Sequence, residues 1–471
     1  MTARHAFLDR LRSVVGPAGY LDQPGDIEPF TVDHRKLYRG ATALVLRPTS
    51  TQEVSQALAL CHEAGVGVVP VGGNTGYCGG ATPSEDGSQI VLSLSRMRRI
   101  RAVDALNYTL IAEAGCVLAD VQAAAAAVDR LFPLSLGSEG SCQLGGNLST
   151  NAGGTAVLRY GMMRDLILGL EVVLPDGRVL DTLKPLRKDN TGYDLRDLFI
   201  GAEGTLGVIT AAACKLFSRP ASTVTAFVAV RDPQSAVALL ARLRNATGDA
   251  VSTFELIPRI ALDLVLRHVE KVSDPFDESF DWYVLVEVGM GAHDAGLRQG
   301  VEAELEEALE GGDIENAAIA ATEAHREMFW RLRETIPEAQ RREGASIKHD
   351  VSVTTSELPR FMKEGSAVIL EIAPTGRIVS YGHLGDGNLH FNVSAPIGGN
   401  PKDFEALAPR INRAMHDLIA RYGGSFSAEH GIGRLKRDDL VRYKNPVAVE
   451  LMRSIKKAID PKGIMNPGKV L

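Results

Sequence analysis

Two histidines seven residues apart, His383 and His390, stand in the run Tyr381-Gly-His-Leu-Gly-Asp-Gly-Asn-Leu-His-Phe-Asn392. The central Gly, Asp and Asn tolerate the positive φ of a tight turn. The flanks, Arg377-Ile-Val-Ser-Tyr and Leu389-His-Phe-Asn-Val, carry strand-forming residues. A hairpin would bring the two imidazoles near each other, and if they share a face they can grip one metal ion. A carboxylate followed by a further imidazole, Glu429-His430, occurs in Ser427-Ala-Glu-His-Gly-Ile-Gly433. Two His and one Glu leave coordination positions open, which suits a catalytic metal better than a structural one. Asp386, between the histidines, fits the turn rather than ligation.

The elements that must position these residues fall into two patterns. From residue 41 short β-branched strands alternate with helices: strands at 43–46, 66–71, 90–94, 109–114, 166–174, 179–183 and 207–216, helices at 51–64 and 118–128. Beyond Arg219-Pro220 the spacing predicts strands at 224–230, 252–256 and 282–288. It predicts helices at 233–247, 292–310, 317–345, 401–422 and 447–459, with the histidine hairpin among them. Strand–helix alternation with antiparallel hairpins points to an α+β fold. The expected division is an N-terminal helical segment over 1–40, a cofactor-binding domain over 41–219, a second domain over 220–425 with the hairpin, and a closing segment over 426–471. Near the N-terminus, Phe7, Leu8, Leu11 and Val14–Val15 recur at helical spacing with Asp9 among them, which favours a helix of the mature protein over a transit peptide.

Composition narrows the function classes. With 471 residues, 45% apolar and 23% charged, the chain can bury a large core as an ordinary globular protein. A net charge of −7 and the lack of a long Lys/Arg run argue against nucleic-acid binding. No stretch approaches the roughly 18 apolar residues that span a bilayer. Five scattered cysteines without Cys-x-x-Cys predict a reducing, cytoplasmic setting and exclude the usual four-Cys iron–sulfur spacing.

Gly72-Gly-Asn-Thr-Gly76 follows a strand, where backbone N–H groups can form a nest around an anion. It is not Gly-x-Gly-x-x-Gly, so a nicotinamide Rossmann site is not expected. The glycine-dense stretch 136–154 is expected to be neither a good helix nor a central strand. Two small-residue loops about seventy residues apart suit an extended dinucleotide, and Gly201-Ala-Glu-Gly-Thr-Leu-Gly-Val-Ile209 again places glycines before a strand.

These segments together resemble the flavin-binding half of the vanillyl-alcohol-oxidase-type (PCMH-type) FAD enzymes. The hairpin and Glu429-His430 resemble their D-2-hydroxyacid dehydrogenase branch, which includes D-2-hydroxyglutarate, D-lactate and glycolate dehydrogenases. The resemblance runs from about residue 40 to the closing Asp460-Pro-Lys-Gly-Ile-Met-Asn-Pro-Gly-Lys469. It implies a two-subdomain FAD-binding domain, an α+β substrate domain with an antiparallel sheet, and a C-terminal segment returning to the flavin.

By the same resemblance, Gly72, Gly73, Asn74, Thr75 and Gly76 hold the FAD pyrophosphate. Gly137, Ser138, Gly145, Gly146, Ser149, Thr150, Gly153 and Gly154 line the pyrophosphate, ribityl chain and ring system. Gly204 and Ile209 hold the adenine side, and Asn466 reaches back toward the flavin. FAD is expected to be non-covalent, since neither Cys78 nor Cys142 matches a tethering position. His383, His390 and Glu429 become ligands of a divalent metal, with Zn²⁺ favoured and Mn²⁺ the alternative. His430 becomes the general base, Asn392 a hydrogen-bond partner of the substrate carboxylate, and Arg333 and Lys348 cations for a distal carboxylate. Pro337 stands where hydroxyglutarate-type relatives carry Thr, a departure that keeps D-lactate, D-malate and glycolate open as substrates.

The implied activity is oxidation of a D-2-hydroxy acid, D-2-hydroxyglutarate first, by hydride transfer to flavin N5. A non-catalytic FAD subunit of an electron-transfer complex is the contrasting class, disfavoured by the complete metal set and His430. The electrons require an external acceptor, an electron-transfer flavoprotein or a quinone, and a homodimer is the expected assembly.

Overall fold

A computed structural model describes residues 3–291 and 295–471. They divide into two compact units, one of Met1–Gly154, Gly161–Arg219 and Glu429–Leu471, the other of Thr155–Tyr160 and Pro220–Ala428. Among the described residues, no helix is long and apolar enough to cross a membrane.

The first unit is built on two principal sheets. In the smaller, strands run in the order Tyr20–Leu21, Val45–Leu46, Ile90–Ser93, Val68–Val71, and the last three are parallel. The helix Thr51–Ala64 that connects two of them is capped at both ends: the Ser50 side chain accepts from Glu53 N, and Gly65 closes it in the left-handed region. The larger sheet, in the order Ile100–Asp104, Thr109–Glu113, Val208–Lys215, Ile167–Val173, Val179–Asp181, is antiparallel throughout.

The C-terminus returns to this unit, in line with the fold class read from the sequence. Val68 N donates to Ile464 O and Asn466 N to Val68 O, so the closing segment lies along the strand that leads into the glycine loop. Buried Asp460 holds it there by accepting from Ile464 N and Met465 N.

Two expectations fail in physically informative ways. The glycine-dense stretch does contain a helix, Leu144–Ser149. Leu144 and Leu148 are fully buried, and a Cβ on Gly145 would stand 2.8 Å from the Ala114 Cβ. Close tertiary packing, which only glycine permits, overrides the poor propensity. The helix expected at 317–345 is instead a strand, Ile314–Ile319, followed by helices Glu323–Glu334 and Ile336–Arg342. Pairing with Ser222–Val230 fixes that edge strand, and short-range pattern does not show it.

The second unit centres on one eight-stranded sheet, in the order Ile314–Ile319, Ser222–Val230, Trp282–Met290, Val251–Pro258, Arg377–His383, Asn388–Ser394, Ser346–Ile347, with Asp350–Ser352 also pairing to Asn388–Ser394. Alternation along Ser222–Val230 buries both faces. Val224, Ala226 and Val228 join the helices Pro233–Thr247, Ala295–Glu310, Leu358–Ile372 and Ala408–Arg421. Phe227 and Ala229 join Arg259–His268, Glu323–Glu334 and Ile336–Arg342. The first residues of the helix expected at 292–310 lie outside the described residues.

Glu343 ties this unit together, accepting from Arg267 Nη1, His268 Nε2 and Arg377 Nη1 at 2.7–2.8 Å. The bond to His268 and then that to Arg377 hold its carboxyl down to about 2, against the smaller opposing effect of burial. A depressed folded-state value gives stability that is present above the unfolded value of about 4.3 and lost as pH falls toward 2. Glu343→Gln is therefore expected to cost roughly 1–3 kcal/mol at neutral pH and to flatten the acid limb between about pH 4.5 and 2. Urea unfolding at stepped pH checks this; an acid limb as steep as the parent's contradicts it.

Candidate active site

In the first unit, the glycine loops converge on one cleft. Gly72, Gly73, Asn74, Thr75, Gly76, Gly145, Gly146, Ser149, Thr150, Gly204 and Ile209 line it, each named from the sequence. Gly137, Ser138, Gly153, Gly154 and Asn466 are not among its lining residues. Asn466 braces the wall instead: its amide donates to Gly80 O at 3.0 Å and to Glu203 O at 2.7 Å. Asn74 has a positive φ of 53° and turns its amide onto Pro29 O and Val32 O. It therefore contributes backbone rather than side chain to the cleft.

The cleft fits a polar ligand. Buried Thr82 Oγ1 and Gln143 Oε1 border it and have no protein hydrogen-bond partner among the described residues, and buried polar groups require one. At Gly76 and Gly146 an added Cβ would meet nothing within 4 Å, so bare backbone faces open space there.

His430 also lines the cleft, its ring edge-on to Tyr77 with centroids 4.7 Å apart. Sequence reasoning missed the residue that holds its loop, Glu203, whose carboxylate accepts from Ile432 N at 2.7 Å and Gly433 N at 2.8 Å. Burial pushes the Glu203 carboxyl pKa up, opposed by those two backbone N–H groups. Gly433 has φ +53°, and a Cβ there would lie 2.2 Å from Cys78 O; the close approach explains the glycine. Glu429 Oε1 accepts from Gly154 N at 3.0 Å, so Gly154 meets the Glu-His pair rather than the cleft.

In the second unit, register decides the histidine site. Tyr381 pairs with His390 across the hairpin, and His383 pairs with Glu255 on the neighbouring strand. Paired and alternate residues share a face, so His383, Tyr381, His390 and Glu255 project together. The His383 and His390 rings lie 5.5 Å apart and offer ligand atoms within 4.8 Å of each other. Asp350, opposite His390 on a third strand, also brings a carboxylate oxygen within 4.8 Å of a His390 nitrogen. The turn is tight because Gly387 takes φ +80°, where a Cβ would strike Val353 O at 2.0 Å. Asp386 is exposed and accepts from Asn388 N, the turn role expected of it.

Glu255, also missed from sequence, is fully buried and joins two named residues. His383 Nδ1 lies 2.6 Å from its Oε1, and Arg333 Nε donates to its Oε2 at 2.7 Å. Burial alone would raise the Glu255 carboxyl pKa, but the Arg333 guanidinium, with His383, holds it down to about 2. Arg333 is 6% exposed, and its guanidinium stacks 5.1 Å from the Tyr381 ring centroid. Lys348 is exposed, between strands Ser346–Ile347 and Asp350–Ser352. Asn392 is buried; its amide donates to Gln340 Oε1 and its carbonyl accepts from His349 N. Pro337 sits in the first turn of helix Ile336–Arg342, a position where the missing N–H costs nothing.

Comparison with known families decides the class. Residues 42–183 match a family described as FAD binding domain, and residues 219–470 match FAD linked oxidases, C-terminal domain. The chain belongs to the FAD-linked oxidases. This oxidoreductase is 38% identical over 460 residues to the mitochondrial D-2-hydroxyglutarate dehydrogenase of Arabidopsis thaliana, covering 98% of the chain and 80% of that protein. It is 35% identical over 475 residues to a putative mitochondrial D-lactate dehydrogenase of Schizosaccharomyces pombe, covering 97% and 88%. In structure it is similar to p-cresol methylhydroxylase, with a TM-score of 0.76 at 17% identity over 99% and 96% of the chains; that likeness establishes the PCMH-type fold. The two matches thus cover much of both units, the first including loops of the glycine-lined cleft and the second including the histidine hairpin.

Proposed function

We propose that this FAD-linked oxidoreductase is a metal-dependent dehydrogenase that oxidises a D-2-hydroxy acid, D-2-hydroxyglutarate in the first instance, to the 2-oxo acid. The observation that carries it is the pair of imidazoles on one strand face, in a chain that matches the FAD binding domain family and whose other unit holds a glycine-lined cleft edged by His430. Bound non-covalently, FAD supplies the hydride acceptor at N5. His383, His390 and Glu429 would hold a divalent cation, Zn²⁺ first and Mn²⁺ second, supplying a Lewis acid for the C2 hydroxyl and its neighbouring carboxylate.

The chain's own residues do the rest. His430 accepts the hydroxyl proton as the C2 hydride leaves, so the alcohol loses two electrons and two hydrogens. Glu203, by pinning the backbone at Ile432 and Gly433, keeps that imidazole at the cleft. Ala428 N donates to Asp350 O, and the next residue in the chain is Glu429, so covalent continuity links the histidine sheet to the third ligand. Asn392 shares the His390 face and has a second amide N–H for the substrate carboxylate. Arg333 and Lys348 are assigned to a distal carboxylate, which a guanidinium can bind through two parallel bonds.

Pro337 supports a second substrate class, a monocarboxylic acid such as D-lactate, because no hydroxyl donor stands there for a distal carboxylate. Initial rates with D-2-hydroxyglutarate, D-malate, D-lactate and glycolate separate the two. The parent is expected to favour D-2-hydroxyglutarate, and Arg333→Ala to lose roughly 10–100-fold of that preference, chiefly through KM. Unchanged discrimination contradicts the Arg333 role, and a parent preference for lactate or glycolate selects the monocarboxylic class.

The five buried thiols support a reducing, cytoplasmic setting. Electrons are assigned to an external acceptor, an electron-transfer flavoprotein or a quinone, and the assembly to a homodimer.

A further inference from the structure

We propose that Glu255 is a positioning residue that sets the His383 tautomer for metal binding and at the same time aims Arg333 at the substrate. The inference rests on the metal role proposed above for His383. Glu255 lies in the strand Val251–Pro258, whose residues are all buried, and it is the single charged side chain of that strand. Register places it directly opposite His383, and its two oxygens are divided between the His383 imidazole and the Arg333 guanidinium.

A carboxylate paired with a guanidinium that never deprotonates is an acceptor only. The proton shared along the 2.6 Å contact to His383 therefore belongs to Nδ1, so a metal would be met by the lone pair on Nε2. That is the arrangement by which metal-binding histidines are oriented and made more basic. Arg333 is fixed by the same carboxylate through Nε and rests on the Tyr381 ring, which constrains the direction of its fork. Packing alone does not account for the group. Burying such a pair costs about as much as it returns, and apolar residues of equal volume would serve as well or better. One buried carboxylate thus couples a metal ligand to a substrate cation, so disturbing it should weaken both functions.

The test is titration of chelator-stripped, FAD-loaded full-length protein with Zn²⁺ and Mn²⁺ by calorimetry, followed by steady-state kinetics. Glu255→Gln is expected to raise the metal Kd by about 10–100-fold. KM for D-2-hydroxyglutarate should rise as well, with flavin content unchanged. Glu255→Asp should recover part of the affinity. If Glu255→Gln fails to fold because Arg333 is left unpaired, the double variant Glu255→Gln/Arg333→Met removes both charges and should show the same metal defect. A metal Kd within twofold of the parent in whichever folded variant is measured overturns the proposal. His383→Ala serves as reference: if it too keeps parental affinity, the metal role itself fails; if it alone loses the metal, only the Glu255 role fails.

Discussion

Replacing His430 with Asn is expected to lower kcat by about 10²–10⁴-fold while FAD remains bound. That range is what a well-placed general base contributes, equivalent to roughly 3–5.5 kcal/mol of barrier. Asn keeps a polar group of similar size against Tyr77, whose ring meets His430 edge-on. The loop itself is anchored elsewhere, through Ile432 and Gly433 to Glu203, so the substitution should not release it. The cleft's other walls, from Gly72–Gly76 to Val208 and Ile209, are untouched, and flavin absorbance should match the parent. A loss confined to KM would contradict the assignment, because a base acts in the transition state and not in ground-state binding.

His383→Ala and His390→Ala are each expected to abolish stoichiometric metal binding and to reduce flavin reduction by substrate at least 10³-fold. A secondary hydroxyl is a far weaker acid than an imidazolium with pKa of about 6.5, so a neutral imidazole alone is a poor match for its proton. Lewis-acid assistance lowers the pKa of a bound hydroxyl by many units, as water's falls from about 15.7 to about 7 on zinc. Either alanine leaves a single imidazole on the strand face, too few ligands to compete with water. Both side chains project from a sheet whose opposite face is packed with Leu389, Phe391 and Val393, so folding should survive the change. Metal content by elemental analysis and single-turnover reduction report the two effects separately; full metal occupancy in both variants contradicts the ligand assignment.

Much of the fold was legible in the sequence, and what was not has a common cause. Helices with chemical punctuation announced themselves: Ser50 and Gly65 bound Thr51–Ala64, and Asp232 with Pro233 opens Pro233–Thr247. Glycine loops marked where backbone lines the cleft, because glycine allows the chain conformations and close approaches that other residues do not. Non-local pairing was invisible. The strand Ile314–Ile319, Ile-Glu-Asn-Ala-Ala-Ile, has little β propensity of its own and exists by pairing with Ser222–Val230.

Glu255 lies 128 residues from His383, and only register brings them opposite. The available signal was a lone acid within an otherwise uncharged strand, and a buried acid needs a partner. Glu203 is similar: its sequence neighbours marked a glycine loop, while its two backbone partners lie 229 and 230 positions away.

Substrate oxidation is proposed to require a metal held by His383, His390 and Glu429 together with the flavin. Anaerobic stopped-flow reduction of the bound FAD by D-2-hydroxyglutarate tests it most directly, using protein as purified, after chelation, and after Zn²⁺ or Mn²⁺ is restored. The flavin absorbance should bleach rapidly in the first state, at least 10³-fold more slowly in the second, and rapidly again in the third. Bleaching at an undiminished rate in fully metal-free protein, or none with any 2-hydroxy acid in the metal-loaded state, would contradict it.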